Sequence, residues 1–323
     1  MKLLITGAGL IGVNTAQQAL AAGHTVVLLD AAPNRTYLHQ MLGKHVDKLS
    51  VVRADVCDSN GLLKIVQDQG VDTIVHTAGL IGKRLDEDPF NGINTNVMGS
   101  MNLLEAARQV SVRRFVFLSS FGVYARDLIN SEEITENAPI GRTRIYATTK
   151  VCTEQLIRAF AERYDLNTVI LRPAAVYGFG HYSGGSGIGT AMAGLMQKIM
   201  AGGPVHLPNR SFRSNEYLYC KDAASAVLAA CKPENPAGGT YNVGTGIVHS
   251  AQELGDILTA WQPSLDISLE PCDPIPPIAA LNVRAAAQDL GFRATYSLQD
   301  GLTDYRDNLL TIGPHPAAPV SGT

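Results

Sequence analysis

Six short apolar runs alternate with helix-patterned stretches through the first half of the chain: Leu3 to Thr6, Thr25 to Asp30, Leu49 to Arg53, Thr73 to His76, Phe115 to Ser119 and Thr168 to Arg172. No other feature constrains the fold as much, because strands that are apolar throughout need cover on both faces, and parallel strands joined by helical crossovers supply it. The stretches between them, including Val13 to Ala22, Gly61 to Gln69, Asn96 to Gln109 and Tyr146 to Tyr164, have lengths suited to right-handed crossovers. The pattern predicts an α/β fold, a Rossmann-type doubly wound parallel sheet of six strands, with a smaller C-terminal substrate-binding region. The dinucleotide-binding domain is expected over residues 1–173 and the substrate region over 174–323. Tyr217 to Tyr219, a helix from Asp222 to Cys231 and Thr240 to Val243, within 215–245, are expected to return to the main sheet. The glycine-rich stretch Gly178 to Gly203 carries a short helix near Met192 to Met200, and Gly178 to Gly189 is suited to close over a substrate. The tail from Gly313 to Thr323, rich in Pro, Ala, Ser and Gly, is expected to be mobile.

The composition excludes several functions. A formal charge of -3 with 17% charged residues offers no basic field for nucleic acid, so a small-molecule substrate is the default. No run approaches the roughly 18 apolar residues of a membrane span. The glycines in MKLLITGAGLIG mark a first strand rather than a secretory signal. Cys57, Cys152, Cys220, Cys231 and Cys272 are odd in number and hold no C-x-x-C pair, which points to reduced thiols in a cytoplasmic protein and to no metal site.

Thr6-Gly7-Ala8-Gly9-Leu10-Ile11-Gly12 follows the first strand and opens a helix. Glycine at 7, 9 and 12 permits a tight turn, and the backbone N–H groups through Leu10, Ile11 and Gly12 can meet a pyrophosphate at the helix N-terminus. Asp30, at the end of the second strand, suits the two hydroxyls of an adenosine ribose and repels a 2′-phosphate. The cofactor expected is therefore NAD rather than NADP, with Arg35 as the one contrary sign. Asp55 and Val56 after the third strand are placed near adenine, and Thr77, Ala78 and Gly79 after the fourth near the ribose. His76 reads as a structural strand-end histidine, since no second ligand is spaced to share a metal with it.

Tyr146 and Lys150, in Y-A-T-T-K, supply chemistry. Residues four apart meet on a helix but lie roughly 13 Å apart on a strand. Cys152, Leu156, Ile157, Phe160 and Tyr164 form an apolar stripe of helical period, so the pair is expected to touch. An adjacent ammonium is expected to lower the phenol's pKa and let it move a proton. Tyr217 and Lys221 repeat the spacing, but the first lies in a strand-like run and the second opens the next helix, so that pair is expected to be split.

These motifs occur in order with Asn96-Val97-Met98-Gly99, Ser119-Ser120-Phe121-Gly122-Val123-Tyr124, Tyr146-x-x-x-Lys150-x-x-x-Glu154, Arg172-Pro173 and Tyr241-Asn242-Val243-Gly244. Over about residues 1 to 310 the chain resembles the extended short-chain dehydrogenase/reductase family, the NAD-dependent epimerase/dehydratase group. The resemblance implies Tyr146 as general acid/base, Lys150 holding the nicotinamide ribose and Ser120 bonding the substrate oxygen. It further implies Asn96, Ser119, Pro173 and Val176 at the cofactor, Phe121 and Ala174 at the substrate, and a homodimer formed through the helices from Asn96 and Tyr146. Lys83, Arg84, Arg142 and Arg144 flank the expected mouth; singly each reads as solvated surface charge, and together they suit an anionic substrate, with Lys83 placed at the substrate.

Departures from the family pattern refine the expectation. The glycine turn has G-x-G-x-x-G spacing where extended members carry one residue more. Phe121-Gly122 stands where dehydratases carry an Asp-Glu pair, which argues against dehydration. Ala175 replaces the asparagine, and Asn215 the arginine, that contact substrate phosphates in nucleotide-sugar enzymes. These losses rank a dehydrogenase or reductase acting on a small sugar, polyol or hydroxy acid first, a nucleotide-sugar 4-epimerase with tightly bound NAD second, and a non-catalytic NAD-sensing module third.

Overall fold

The computed structural model describes residues 1–141, 144–181, 185–207, 212, 214–270 and 278–313. Arg142, Arg213, Cys272 and the expected mobile tail beyond Gly313 lie outside the described residues.

Strands β1 (Lys2–Thr6), β2 (Thr25–Asp30), β3 (Leu49–Arg53), β4 (Thr73–His76), β5 (Arg114–Leu118) and β6 (Thr168–Pro173) match the six apolar runs to within a residue or two. Strand β7 (Ala175–Tyr177) follows at once, then β8 (Tyr217–Tyr219) and β9 (Thr240–Val243). The main sheet has seven strands in the order β9-β6-β5-β4-β1-β2-β3, all parallel. The order turns back between β1 and β4, which opens a crevice at their carboxyl ends, the usual ligand position in such sheets. Side chains alternate across the strands. Leu3, Ile5, Val26 and Leu28 face one core, beneath helix α1 (Leu10–Ala21), whereas Leu4, Val27, Leu29 and Ile74 face the other, with helix α3 (Ser59–Gln69) after α2 (Arg35–Leu42).

The expected return to the sheet is realised only in part. β9 joins as the seventh strand beside β6, but β8 pairs with β7 in a separate two-stranded sheet. The short run Tyr217 to Tyr219 is apolar enough for either place; β7, continuing directly from β6, offers the free edge. The remaining helices used below are α4 (Gly99–Val110), α5 (Ile145–Tyr164), α6 (Gly187–Ala201) and α7 (Cys220–Cys231). The helix expected from Asn96 begins as a π turn over Asn94–Met98, and α6 starts earlier than expected because Ser186 caps Gly189 N–H.

α5 has the expected length, and its buried face is largely polar. Cys152 and Tyr164 are exposed and Leu156 and Phe160 half-buried, while Ala147, Lys150, Thr153, Glu154 and Ile157 are buried. The apolar stripe therefore borders solvent, and polar side chains with partners distant in sequence occupy the interior. Arg114 is another such case. Its guanidinium donates to Asn167 Oδ1, Ala230 O, Lys232 O and Asn235 O, satisfying carbonyls at the end of α7 that the helix leaves unpaired.

Candidate active site

The turn after β1 requires glycine on steric grounds. Gly7 has φ +90°, and a Cβ there would lie 2.8 Å from Ala78 N; a Cβ on Gly12 would collide with Gly7 O. Gly9 precedes α1 in extended conformation and offers no side-chain cap. The first-turn N–H groups of Leu10, Ile11 and Gly12 thus face the crevice with the helix dipole behind them, a ready anion site. Asp30 shapes the same turn: Oδ2 accepts from Ala8 N at 2.7 Å and Oδ1 from Ala32 N at 2.8 Å. Each oxygen keeps a second lone pair for a ribose hydroxyl. Thr77 Oγ1 donates to Thr6 O at 2.8 Å, locking the β4 loop against the glycines. At the end of β3, Asp55 Oδ1 accepts from Cys57 N, and Val56 packs where α4 begins, its carbonyl held by Asn102. Side-chain-free backbone, open amides and a strand-end carboxylate fit the adenosine diphosphate half of NAD.

The second half of the site lies at the ends of β4 and β5. Asn96 clamps the β4 loop, with Oδ1 accepting from Leu80 N at 2.7 Å and Nδ2 donating to Leu80 O at 2.9 Å and Thr149 Oγ1 at 3.2 Å. A Cβ on Gly79 would lie 3.1 Å from Asn96 Oδ1 and 3.9 Å from Lys150 Nζ. Lys150 is buried, donates to Leu118 O at 2.8 Å and stands 5.8 Å from the centre of the Tyr146 ring. Ser120 lies beside the Tyr146 phenol and favours its ionised form, and Ser120 Oγ accepts from Gly122 N at 3.0 Å. The structure thus brings Gly79, Asn96, Ser120, Tyr146 and Lys150 together.

The electrostatics differ from the expectation that Lys150 lowers the Tyr146 pKa. Burial pushes the Tyr146 phenol up to about 12, against a smaller opposing effect of Ser120. Burial likewise brings the Lys150 ammonium down to about 8, with the Glu154 carboxylate opposing. Desolvation penalises both charged forms, and the lysine spends its hydrogen bond on a backbone carbonyl rather than on the phenol.

His76 is a structural residue. Ser100 Oγ donates to Asn96 O, so at the 2.8 Å contact with His76 Nε2 the serine oxygen accepts. This assigns the proton to Nε2 and leaves Nδ1 to accept from Thr6 Oγ1. Burial, reinforced by Lys150, lowers the imidazole to about 3. Among the described residues no group of three potential ligands could hold a metal ion.

Ser119 does not share the place of Ser120. Its hydroxyl donates to Glu154 Oε1 at 2.6 Å, and Glu154 in turn receives two bonds from Arg172, at 2.6 and 2.9 Å. Sequence reading quoted Glu154 and Arg172 as motif residues and gave neither a task; the available signal was a carboxylate eight residues past Tyr146 in a helix whose neighbours are buried. Phe121 follows Ser120, half-buried, with the Arg126 guanidinium 4.7 Å over its ring. Pro173, Ala174 and Val176 lie at the β6–β7 junction, where Ala174 N donates to Val243 O. Ala175 is buried and its N–H is bonded to Glu216 O; Asn215 pairs across a short ladder with His249. Lys83 is exposed and faces Glu87 at 3.4 Å along its own short helix, and Arg84 and Arg144 are also exposed. A cavity of about 320 Å³ beside Gln17, Gln40, His45 and Lys221 shares no residue with this cluster.

Comparison with known proteins agrees with this geometry. The model of the NAD dependent epimerase/dehydratase family matches residues 3–244. A UDP-glucose 4-epimerase of Mycolicibacterium smegmatis is 32% identical over 259 residues, covering 79% of this chain and 80% of that protein. One from Bacillus subtilis is 27% identical, covering 79% and 80%. Among solved structures, the UDP-glucose 4-epimerase of Thermus thermophilus in complex with NAD superposes with TM-score 0.79 at 27% identity, over 96% of this chain and 99% of that one. The Thermotoga maritima enzyme with UDP-glucose shares the fold at TM-score 0.82 and 22% identity, over 96% and 99%. The chain belongs to the NAD dependent epimerase/dehydratase family and is an NAD-dependent enzyme of that family.

Proposed function

We propose that the protein is a nucleotide-sugar 4-epimerase that keeps NAD bound through its cycle. The observation that carries the reading is Ser120 placed beside Tyr146, with a buried Lys150 one turn along the same helix, in a chain whose relatives include UDP-glucose 4-epimerases over four-fifths of their length. Those relatives reverse the order drawn from sequence, which placed a small-substrate dehydrogenase first.

The site divides the work among its residues. Gly7, Gly9, Leu10, Ile11 and Gly12 hold the pyrophosphate through backbone amides, and Asp30 the adenosine ribose. Bound NAD supplies a reversible hydride acceptor. Ser120 holds the substrate oxygen, Tyr146 removes its proton as general base once it is itself ionised, and Lys150 carries the positive charge that stabilises this phenolate against the burial that opposes it. When the ketone is offered again by its opposite face, Tyr146 returns the proton to the same oxygen and the carbon is inverted. No residue beside Ser120 can protonate a leaving hydroxyl, since Phe121 and Gly122 follow it, so the cycle closes without dehydration.

The stripe Cys152, Leu156, Phe160 and Tyr164 on α5, of which Leu156 and Phe160 pack only partly against the core and Cys152 and Tyr164 stay exposed, supports a homodimer. The four described cysteines are free, in keeping with a cytoplasmic setting, and no helix among the described residues is long and apolar enough to cross a membrane.

Ala175 and Asn215 favour a second reading. A buried alanine and a neutral amide remove two phosphate contacts, which suits a dehydrogenase acting on a smaller sugar or hydroxy acid. The purified protein, incubated with UDP-glucose, UDP-galactose or UDP-glucuronate, is expected to interconvert a 4-epimer pair with no net NADH. Steady NADH formation with a free sugar or hydroxy acid, and no epimer, would install the second reading instead.

A further inference from the structure

Glu154 is a fully buried carboxylate with no part in the acid/base steps above. It sits one helical turn beyond Lys150 and two beyond Tyr146 on α5, so all three share a face. Its four hydrogen bonds converge from separate elements. Ser119 Oγ donates to Oε1 at 2.6 Å, and Arg172 of β6 donates through Nε to Oε1 at 2.9 Å and through Nη2 to Oε2 at 2.6 Å. Arg158, on α5 itself, donates to Oε2 at 3.0 Å. Arg172 then extends the network through Nη1 to the Tyr124 hydroxyl at 3.0 Å and to Glu136 O at 2.9 Å. Tyr124 passes its proton toward Asn242 of β9.

Ser119 is flanked by the two backbone positions on which the site depends. On one side Leu118 O anchors Lys150 Nζ; on the other Ser120 lies beside Tyr146. A carboxylate that fixes Ser119 therefore fixes both at once, relative to the helix that carries their partners. We infer that Glu154 is a positioning residue, which ties the end of β5 to α5 through Ser119 and Arg172 and so sets the geometry of Ser120, Tyr146 and Lys150. The inference rests on the assignment of those three residues as the reacting groups.

Glu154 also acts through its charge. Arg172 and Ser119 overcome the burial that opposes its ionisation and hold it below the usual carboxylate range. The resulting anion opposes the desolvation of the Lys150 ammonium. Among the described residues it is the one anion facing Lys150: His76 from β4 and Tyr146 from α5 are neutral, while the Phe117 ring at 4.6 Å and Leu118 O favour the ammonium without carrying charge. Facing Glu154 are Arg172 from β6, Arg158 from α5 and, beyond Arg172, Tyr124.

Glu154→Gln keeps the shape and removes the charge. Relative to wild type it is expected to lower kcat about tenfold or more with KM nearly unchanged, since small misplacement of reacting groups is costly. The alkaline limb of its pH profile should move to lower pH by about one unit. A lysine side-chain NMR titration of the nucleotide-free protein should show Lys150 moving the same way, and Glu154→Asp should restore most of that shift. Ser119→Ala, a milder change that leaves no buried charge unpaired, is expected to lower kcat several-fold with NAD affinity and the pH limb unchanged; it decides the matter if Glu154→Gln does not fold. A lower melting temperature with kcat, pH limb and Lys150 titration unaltered, or an unaltered kcat in Ser119→Ala, overturns the inference. If Tyr146→Phe retains turnover, the underlying site assignment has failed instead.

Discussion

Tyr146 and Lys150 lie on one helix, one turn apart, whereas Tyr217 and Lys221 have the same spacing but stand on either side of the junction between β8 and α7. On α5 the helix stacks the two side chains over the crevice beside Ser120. At the junction, Tyr217 is buried against Tyr177 and receives a long bond from Asn215, at 3.5 Å. Lys221 points elsewhere and is held by Asp304 at 2.7 Å. Both tyrosines are made harder to ionise by burial. What separates them is the neighbour: a serine hydroxyl and a buried ammonium in one case, aromatic packing in the other. A sequence interval becomes a chemical unit only when one element carries both ends.

The comparison can be broken most directly at the phenols. Tyr146→Phe is expected to reduce kcat about a thousandfold, while Tyr217→Phe leaves kcat within about threefold because no reacting group touches it; steady-state kinetics with whichever of the three UDP-sugars is turned over decides both. A smaller loss, about a hundredfold in kcat, is expected for Ser120→Ala, which removes one hydrogen-bond donor from the substrate oxygen. Comparable losses at Tyr146 and Tyr217 would erase the distinction.

Lys150 sharpens it through pH. Its folded value near 8 lies below the ordinary 10.5, so between those values the unfolded chain binds the proton more tightly and stability rises with pH. Each unit of that shift corresponds to about 1.4 kcal/mol. The difference in urea midpoint between the nucleotide-free wild type and Lys150→Met should grow in favour of the wild type as pH rises across this window. The smallest effect is expected at Lys221→Met. Its partner pair is about a third exposed, so the cost should stay near or below about 1 kcal/mol by chemical denaturation.

Much of this protein was readable in its sequence because the signals were local. Apolar runs marked six strands, glycine at 7 and 12 marked a turn where a side chain has no room, and Ser120, chosen over Ser119, lies beside Tyr146 in the fold. Other features depended on partners far along the chain. The apolar stripe of α5 gave the helical period and not the polar residues buried beside it, since nothing near Thr153 or Glu154 announces Asn96 and Arg172, which satisfy them. The place of β8 depended on which edge stood free after β7 had formed.

The order of strands and helices, the glycine turn after β1 and the four-residue interval at Tyr146 follow from the sequence alone, because backbone periodicity and steric demand act between neighbours. Tertiary structure decided the rest: which face of α5 is buried, where β8 pairs, and that Tyr146 and Lys150 titrate in opposite directions from their usual values. Those outcomes depend on desolvation and on hydrogen bonds between distant residues, and both arise only once the chain has packed.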